Sequence, residues 1–344
     1  MQVQEIIEEI RSGLTGEEQH DLAYLKEQME IYKEHEFAKE ILRECGRILY
    51  SLLSPETRAK FEAAAEKDDL GMNEEMEKAE FYLYKGEHEK AFSAIKPLVE
   101  KCDGILEAGM FADDSVSEYY CFREPFEEVL HRFLSGSEKT FRRSPVPFER
   151  VYGHYGIVLV DLKRYEEAAE ALKKATRWNP ADAEIMFEYA ETFKIRGDLE
   201  RFYELTIEAS KISFRPATVA RCFRNLGYYF TEKRLWEVAV ACIVMSGQYV
   251  PNDKNAQSEL YYIEHTAGRQ IDVPDYDAFC GFAEKYGFPC AANEDVLSLA
   301  AQFGRHFHEE GENGLASYFF GILYDLTGDE NVKSILEAIK EEKE

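Results

Sequence analysis

ERVYGHYGIVLVDLKRYEEAAEALKKATRWNPAD, residues 149–182, is the stretch on which the reading of this chain turns. Tyr152, Tyr155, Gly156 and Leu159 recur at three- and four-residue spacing, as the buried stripe of one helix requires. Ala168, Leu172 and Ala175 form a second stripe, and Pro180 closes the segment. Two amphipathic helices joined by a turn satisfy this pattern. Small residues let the helices approach, and large ones fill the space beside them.

The register returns elsewhere. Windows of 34 residues starting at Met72, Glu149, Ala183, Ala220 and Leu297 share their key places. The eighth place is small in each: Ala79, Gly156, Ala190, Gly227 and Gly304. The eleventh is large and apolar: Tyr82, Leu159, Phe193, Phe230 and Phe307. The twentieth is Ala91, Ala168, Ala239 or Ala316 in four windows and Phe202 in the fifth. Gly86, Gly197 and Gly311 stand at the fifteenth place, where the turn falls. One hairpin cannot bury its apolar face alone, so neighbours must stack.

These windows resemble tetratricopeptide repeats, the 149–182 window most closely. The window at Ala220 is nearly as good, through Phe223, Leu226, Gly227, Phe230, Ala239, Ile243 and Pro251. The one at Met72 departs at Glu75 and Lys78, where bulky residues are expected. The resemblance implies an all-α, right-handed superhelical solenoid. Its implied array runs over 71–330, with clear windows at 72–105, 149–182, 183–216, 220–253 and 297–330.

Two gaps, 106–148 and 254–296, are predicted to be irregular helical segments, each with room for a degraded helix pair. In the first, Tyr119, Phe122, Phe126, Val129, Leu130 and Phe133 keep helical spacing across 115–134, with a start or kink at Pro125. Residues 139–147 read as a loop. In the second, a helix around Leu260 and Ile263 precedes another begun at Pro274.

Residues 1–70 read as an N-terminal helical region, either a domain of its own or degraded repeats. Thr15 and Glu18 suggest a capping box, Ser54–Pro55 a helix start, and Asp68–Gly71 a boundary. The tail, 331–344, reads as a capping helix through Val332, Ile335, Leu336 and Ile339.

Composition narrows the function. The net charge of -26 argues against nucleic-acid or anionic-membrane partners. The N-terminal stretch reads as an amphipathic helix, not a signal peptide, and no apolar run is long enough to span a membrane. Seven widely spaced cysteines without a C-x-x-C motif read as buried free thiols in a reducing compartment, so a cytoplasmic location is expected.

No phosphate-binding glycine loop, nucleophile elbow or H-E-x-x-H motif occurs. His306 and His308, two residues apart, point to different helix faces and do not form a chelating pair. The expectation is a protein that is not an enzyme, with no cofactor and no metal.

A binding face is expected instead. Residues 139–234 carry a net charge of +4 in an otherwise acidic chain. Places two, five, nine and twelve of each first helix lie away from the packed stripe. In tetratricopeptide proteins, the resemblance implies, that side lines a concave groove. Those places include Arg150, then Phe187, Glu191 and Lys194, then Arg221, Arg224 and Tyr228. The mixture suits a peptide or partner protein, with Arg221 and Arg224 placed to hold a carboxylate. The chaperone-tail clamp of some family members is not matched, since Gly153, Ile157 and Glu188 occupy its places. The expected function is therefore a protein-interaction scaffold or adaptor. The alternative is a peptide-sensing receptor, since Rap-type proteins are similar in plan, with a small helical region before the repeats.

Overall fold

The computed structural model describes residues 3–33, 35, 37–52 and 72–341. The expected helix start at Ser54–Pro55 and boundary at 68–71 lie outside the described residues. In chain order the elements are α1 (Val3–Ser12), α2 (Glu18–Tyr32), α3 (Ala38–Leu52), α4 (Asn73–Tyr84), α5 (His88–Glu107), β1 (Ser117–Tyr120), α6 (Pro125–Ser135) and β2 (Thr140–Arg143). There follow α7 (Phe148–Asp161), α8 (Tyr165–Trp178), α9 (Ala183–Ile195), α10 (Leu199–Ser210), α11 (Pro216–Glu232), α12 (Trp236–Tyr249), α13 (Lys254–Ala267), α14 (Tyr276–Tyr286), α15 (Glu294–Glu309), α16 (Asn313–Thr327) and α17 (Glu330–Glu341).

The repeat register is visible in the backbone. Each window turns through one left-handed residue at its fifteenth place: Gly86, Lys163, Gly197, Arg234 and Gly311, with φ between 59° and 80°. At each turn the next amide donates to the carbonyl of the eleventh place, at 2.8 or 2.9 Å, as in Arg164 to Leu159 and Glu312 to Phe307. The turn residue's own amide donates to the twelfth. This paired closure satisfies the last carbonyls of the first helix and reverses the chain at once. Three windows meet the left-handed requirement with glycine; Lys163 and Arg234 meet it with a side chain present.

The chain divides into two compact units. One comprises Met1–Cys121 with Glu138–Arg164, the other Phe122–Ser137 with Tyr165–Glu344.

In the first unit, α1, α2 and α3 close over Ile6, Ile10, Leu25, Ile41 and Cys45. The cap position of α2 falls on Glu17, not on the predicted Thr15. Asp21 accepts the Thr15 amide and hydroxyl and the Gly16 amide, each at 2.8 Å. These bonds, led by the Thr15 amide, hold its carboxyl down to about 2. Farther along, α4 pairs with α5, and α5 packs on α7. Tyr152 of α7 donates its hydroxyl to Asp103 of α5 at 2.7 Å.

The first gap departs from the all-helical expectation. Its helix, α6, starts at Pro125, but the residues before it form β1, and those read as a loop form β2. The strands pair in parallel, from Ser117 opposite Thr140 to Tyr120 opposite Arg143. Asp113 and Asp114 capture the amides of Val116, Ser117 and Tyr119, which ends helical bonding upstream of the aromatic run.

In the second unit, α9–α10, α11–α12 and α15–α16 are hairpins. Ala190, Gly227 and Gly304 are buried at the hairpin contacts. A side chain added at Gly304 would sit 2.8 Å from the Phe320 ring. The second gap contributes two helices, and the first of them, α13, lies beside α11. The terminal α17 covers Ala316 and Phe320 with Val332 and Ile339. The helix α6 joins this unit although it precedes α8 by some forty residues. Phe126 is fully buried, its ring 5.0 Å from Phe214 and 5.9 Å from Phe319.

Candidate partner-binding face

The first helices α9, α11 and α13 of the second unit touch one another through side chains expected to line a groove. Lys194 pairs with Glu191 at 2.6 Å and reaches across to lie 4.8 Å from the centre of the Tyr228 ring. Tyr228 stacks on Tyr262 of α13, with ring centres 6.3 Å apart and planes 13° apart. Tyr262 donates its hydroxyl to Glu232 at 2.7 Å. The ring of Phe202 meets Tyr228 edge-on from below. Thus Glu191, Lys194 and Tyr228 are brought together on a half-exposed face.

The two arginines hold carboxylates, but internal ones. Arg221 donates to Glu188 at 2.8 Å and Arg224 to Asp253 at 2.7 Å. Asp253 also caps α13 by accepting the Asn255 amide. Both arginines therefore tie successive repeats together, where the spacing suggested hands open to a ligand. Phe187 departs further: it is fully buried, with the Arg221 guanidinium 5.3 Å above its ring. It packs in the unit's core among Phe126, Val219 and Phe223, because burying an aromatic ring gains more than lining a wet face. Arg150 belongs to the first unit, where it pairs with Glu80 at 2.8 Å beside His154.

Glu259 lies beside Arg224 and Lys194 on this face. Burial pushes its carboxyl up to about 7, against the opposing pull of Arg224 and Lys194. Arg224 stands 4.0 Å away, and the second carboxyl oxygen is buried without a hydrogen-bond partner. Helical spacing alone did not single out Asp253, Glu259 or Tyr262. Carrying the 34-residue register on from Ala220 puts Tyr262 at the ninth place, the same as Tyr228, so the signal was present for that one. The others are identified only by their partners.

Helix hairpins that share one turn, stacked so that their first helices present a common face, define a helical-repeat architecture. The family model for the tetratricopeptide repeat matches residues 149–182. That stretch of the chain is thus a tetratricopeptide repeat. The solved structures to which the chain is similar include these two. One is a tetratricopeptide repeat protein from Parabacteroides merdae, at 10% identity and a TM-score of 0.36, covering 98% of each chain. The other is the APC/C hetero-tetramer Cut9–Hcn1, at 12% identity and a TM-score of 0.32, covering 90% of this chain and 58% of that one. No curated protein matches the sequence. Among the described residues no helix is long and apolar enough to cross a membrane.

Proposed function

We propose that the protein is a non-enzymatic cytoplasmic scaffold or adaptor that binds a peptide or a partner protein on the face made by α9, α11 and α13. The observation that supports this is the continuous Lys194–Tyr228–Tyr262 surface flanked by the unsatisfied Glu259. A half-exposed aromatic stack beside a cation offers a partner apolar area and directional contacts at low entropy cost. Arg221 and Arg224 act as supports for this face, since their charges are already spent on Glu188 and Asp253.

The test is affinity capture from a source-cell lysate with the wild type and with Lys194→Ala/Tyr262→Ala. Tyr262 is 41% exposed, so the variant is expected to keep its helicity and melting profile. A partner recovered by the wild type and reduced roughly tenfold by the folded variant supports the reading. Equal recovery by both proteins overturns this placement of the site.

A further inference from the structure

Away from the α9–α11–α13 face, a half-open cleft of about 640 Å³ lies between α12, α14 and the last turn of α16, all within the second unit. Its size is that of a small-molecule site, for which roughly 300–1,000 Å³ is usual. The apolar wall comes from Met245, Tyr249, Tyr276 and Phe279. The charged lining is Asp275 and Asp325, with no lysine, arginine or histidine.

The backbone adds to this negative field. Residues 325–328 of the lining are the C-terminal end of α16, where the helix dipole is negative. The opposing positive end, at the start of α14, is already answered: Asp275 caps it by accepting the Ala278 amide at 2.9 Å. Tyr249 is fixed in place, because its hydroxyl accepts the Ala292 amide at 2.7 Å. Tyr276 stands at the mouth, 58% exposed, its ring 6.3 Å from that of Phe279.

Aromatic faces, acidic carboxylates and a helix C-terminus all favour the same thing, a positive charge on an apolar body. We infer that this cleft binds a small organic ammonium compound. The ammonium head sits between the aromatic rings and Asp325, and the apolar part lies against Met245 and Phe279. Binding involves no covalent step.

The probe is choline, compared with its neutral isostere 3,3-dimethylbutan-1-ol, each titrated into the full chain and followed by NMR shift changes. The expected result is saturable choline binding, with the neutral isostere at least about threefold weaker. Tyr276→Ala and Asp325→Asn, both at exposed side chains, are each expected to weaken choline roughly three- to tenfold while leaving the melting profile unchanged. Three results would overturn the inference: no saturable choline binding, equal binding of choline and its isostere, or choline binding untouched by both variants.

Discussion

At the scale of single residues, the turn of each repeat is the sharpest test of the fold. The fifteenth place demands a left-handed backbone, and a side chain there costs about 1 kcal/mol or more. Arg234 bears that cost on an exposed turn. Arg234→Gly is therefore expected to raise stability by roughly 0.5–1 kcal/mol, net of the entropy glycine adds to the unfolded chain, and Gly197→Ala to lower it by a similar amount. Urea melts of the two variants check the pair of opposite signs. The eighth place has the complementary requirement. Gly304→Ala would push a methyl to 2.8 Å from the Phe320 ring and is expected to cost about 1–3 kcal/mol, measured the same way.

At the scale of elements, α11 and α13 are joined by a network with one more acid than its bases satisfy. Arg224 serves Asp253 and leaves Glu259 partly buried, with one oxygen unpaired. Because the folded state raises the Glu259 carboxyl to about 7, the protonated acid is the form that folding favours. Its contribution is present below the ordinary carboxylate range and is lost as pH rises through about 7. Glu259→Gln is expected to remove this dependence, so that the variant melts higher than the wild type at pH 8 and about equally at pH 4. Melting curves across that range decide it; an unchanged slope near neutrality would refute the assignment. The same network explains why the spacing pointed to Arg221 and Arg224 without revealing their role. Periodicity places them on the outer face of α11, while Glu188 and Asp253 reach them from the helices before and after.

At the scale of the whole molecule, the chain order and the packing order differ. The helix α6 is read before the best repeat, yet its Phe126 and Leu130 complete the core of the second unit among Phe214, Phe223 and Phe319. Glu124, just ahead of α6, accepts the Tyr318 hydroxyl at 2.9 Å and pairs with Arg215. Phe126→Ala is expected to cost about 3–5 kcal/mol, as for other fully buried phenylalanines. A urea unfolding curve measures it, and a loss under 1 kcal/mol would mean that α6 is peripheral to the unit. The repeat array was thus legible from 34-residue spacing, but its interruption by a helix belonging to the second unit was not.

What the sequence determined alone is local. Helix hairpins, their small eighth places and the turn at the fifteenth follow from hydrogen bonds four residues apart and from the need of each helix to bury one stripe. Those constraints leave their record in every repeat, so the register can be read without coordinates. What only the tertiary structure decided is pairwise. Phe187 is core and Tyr228 surface, although the helical spacing puts both on one side. Lys163 and Arg234 accept a glycine conformation, residues 117–120 find a strand partner at 140–143, and Glu259 is left without a full complement of hydrogen bonds. Each of these depends on which distant segment comes to rest alongside. Burial and electrostatics act through space, and spacing along one helix cannot encode the neighbour that supplies them.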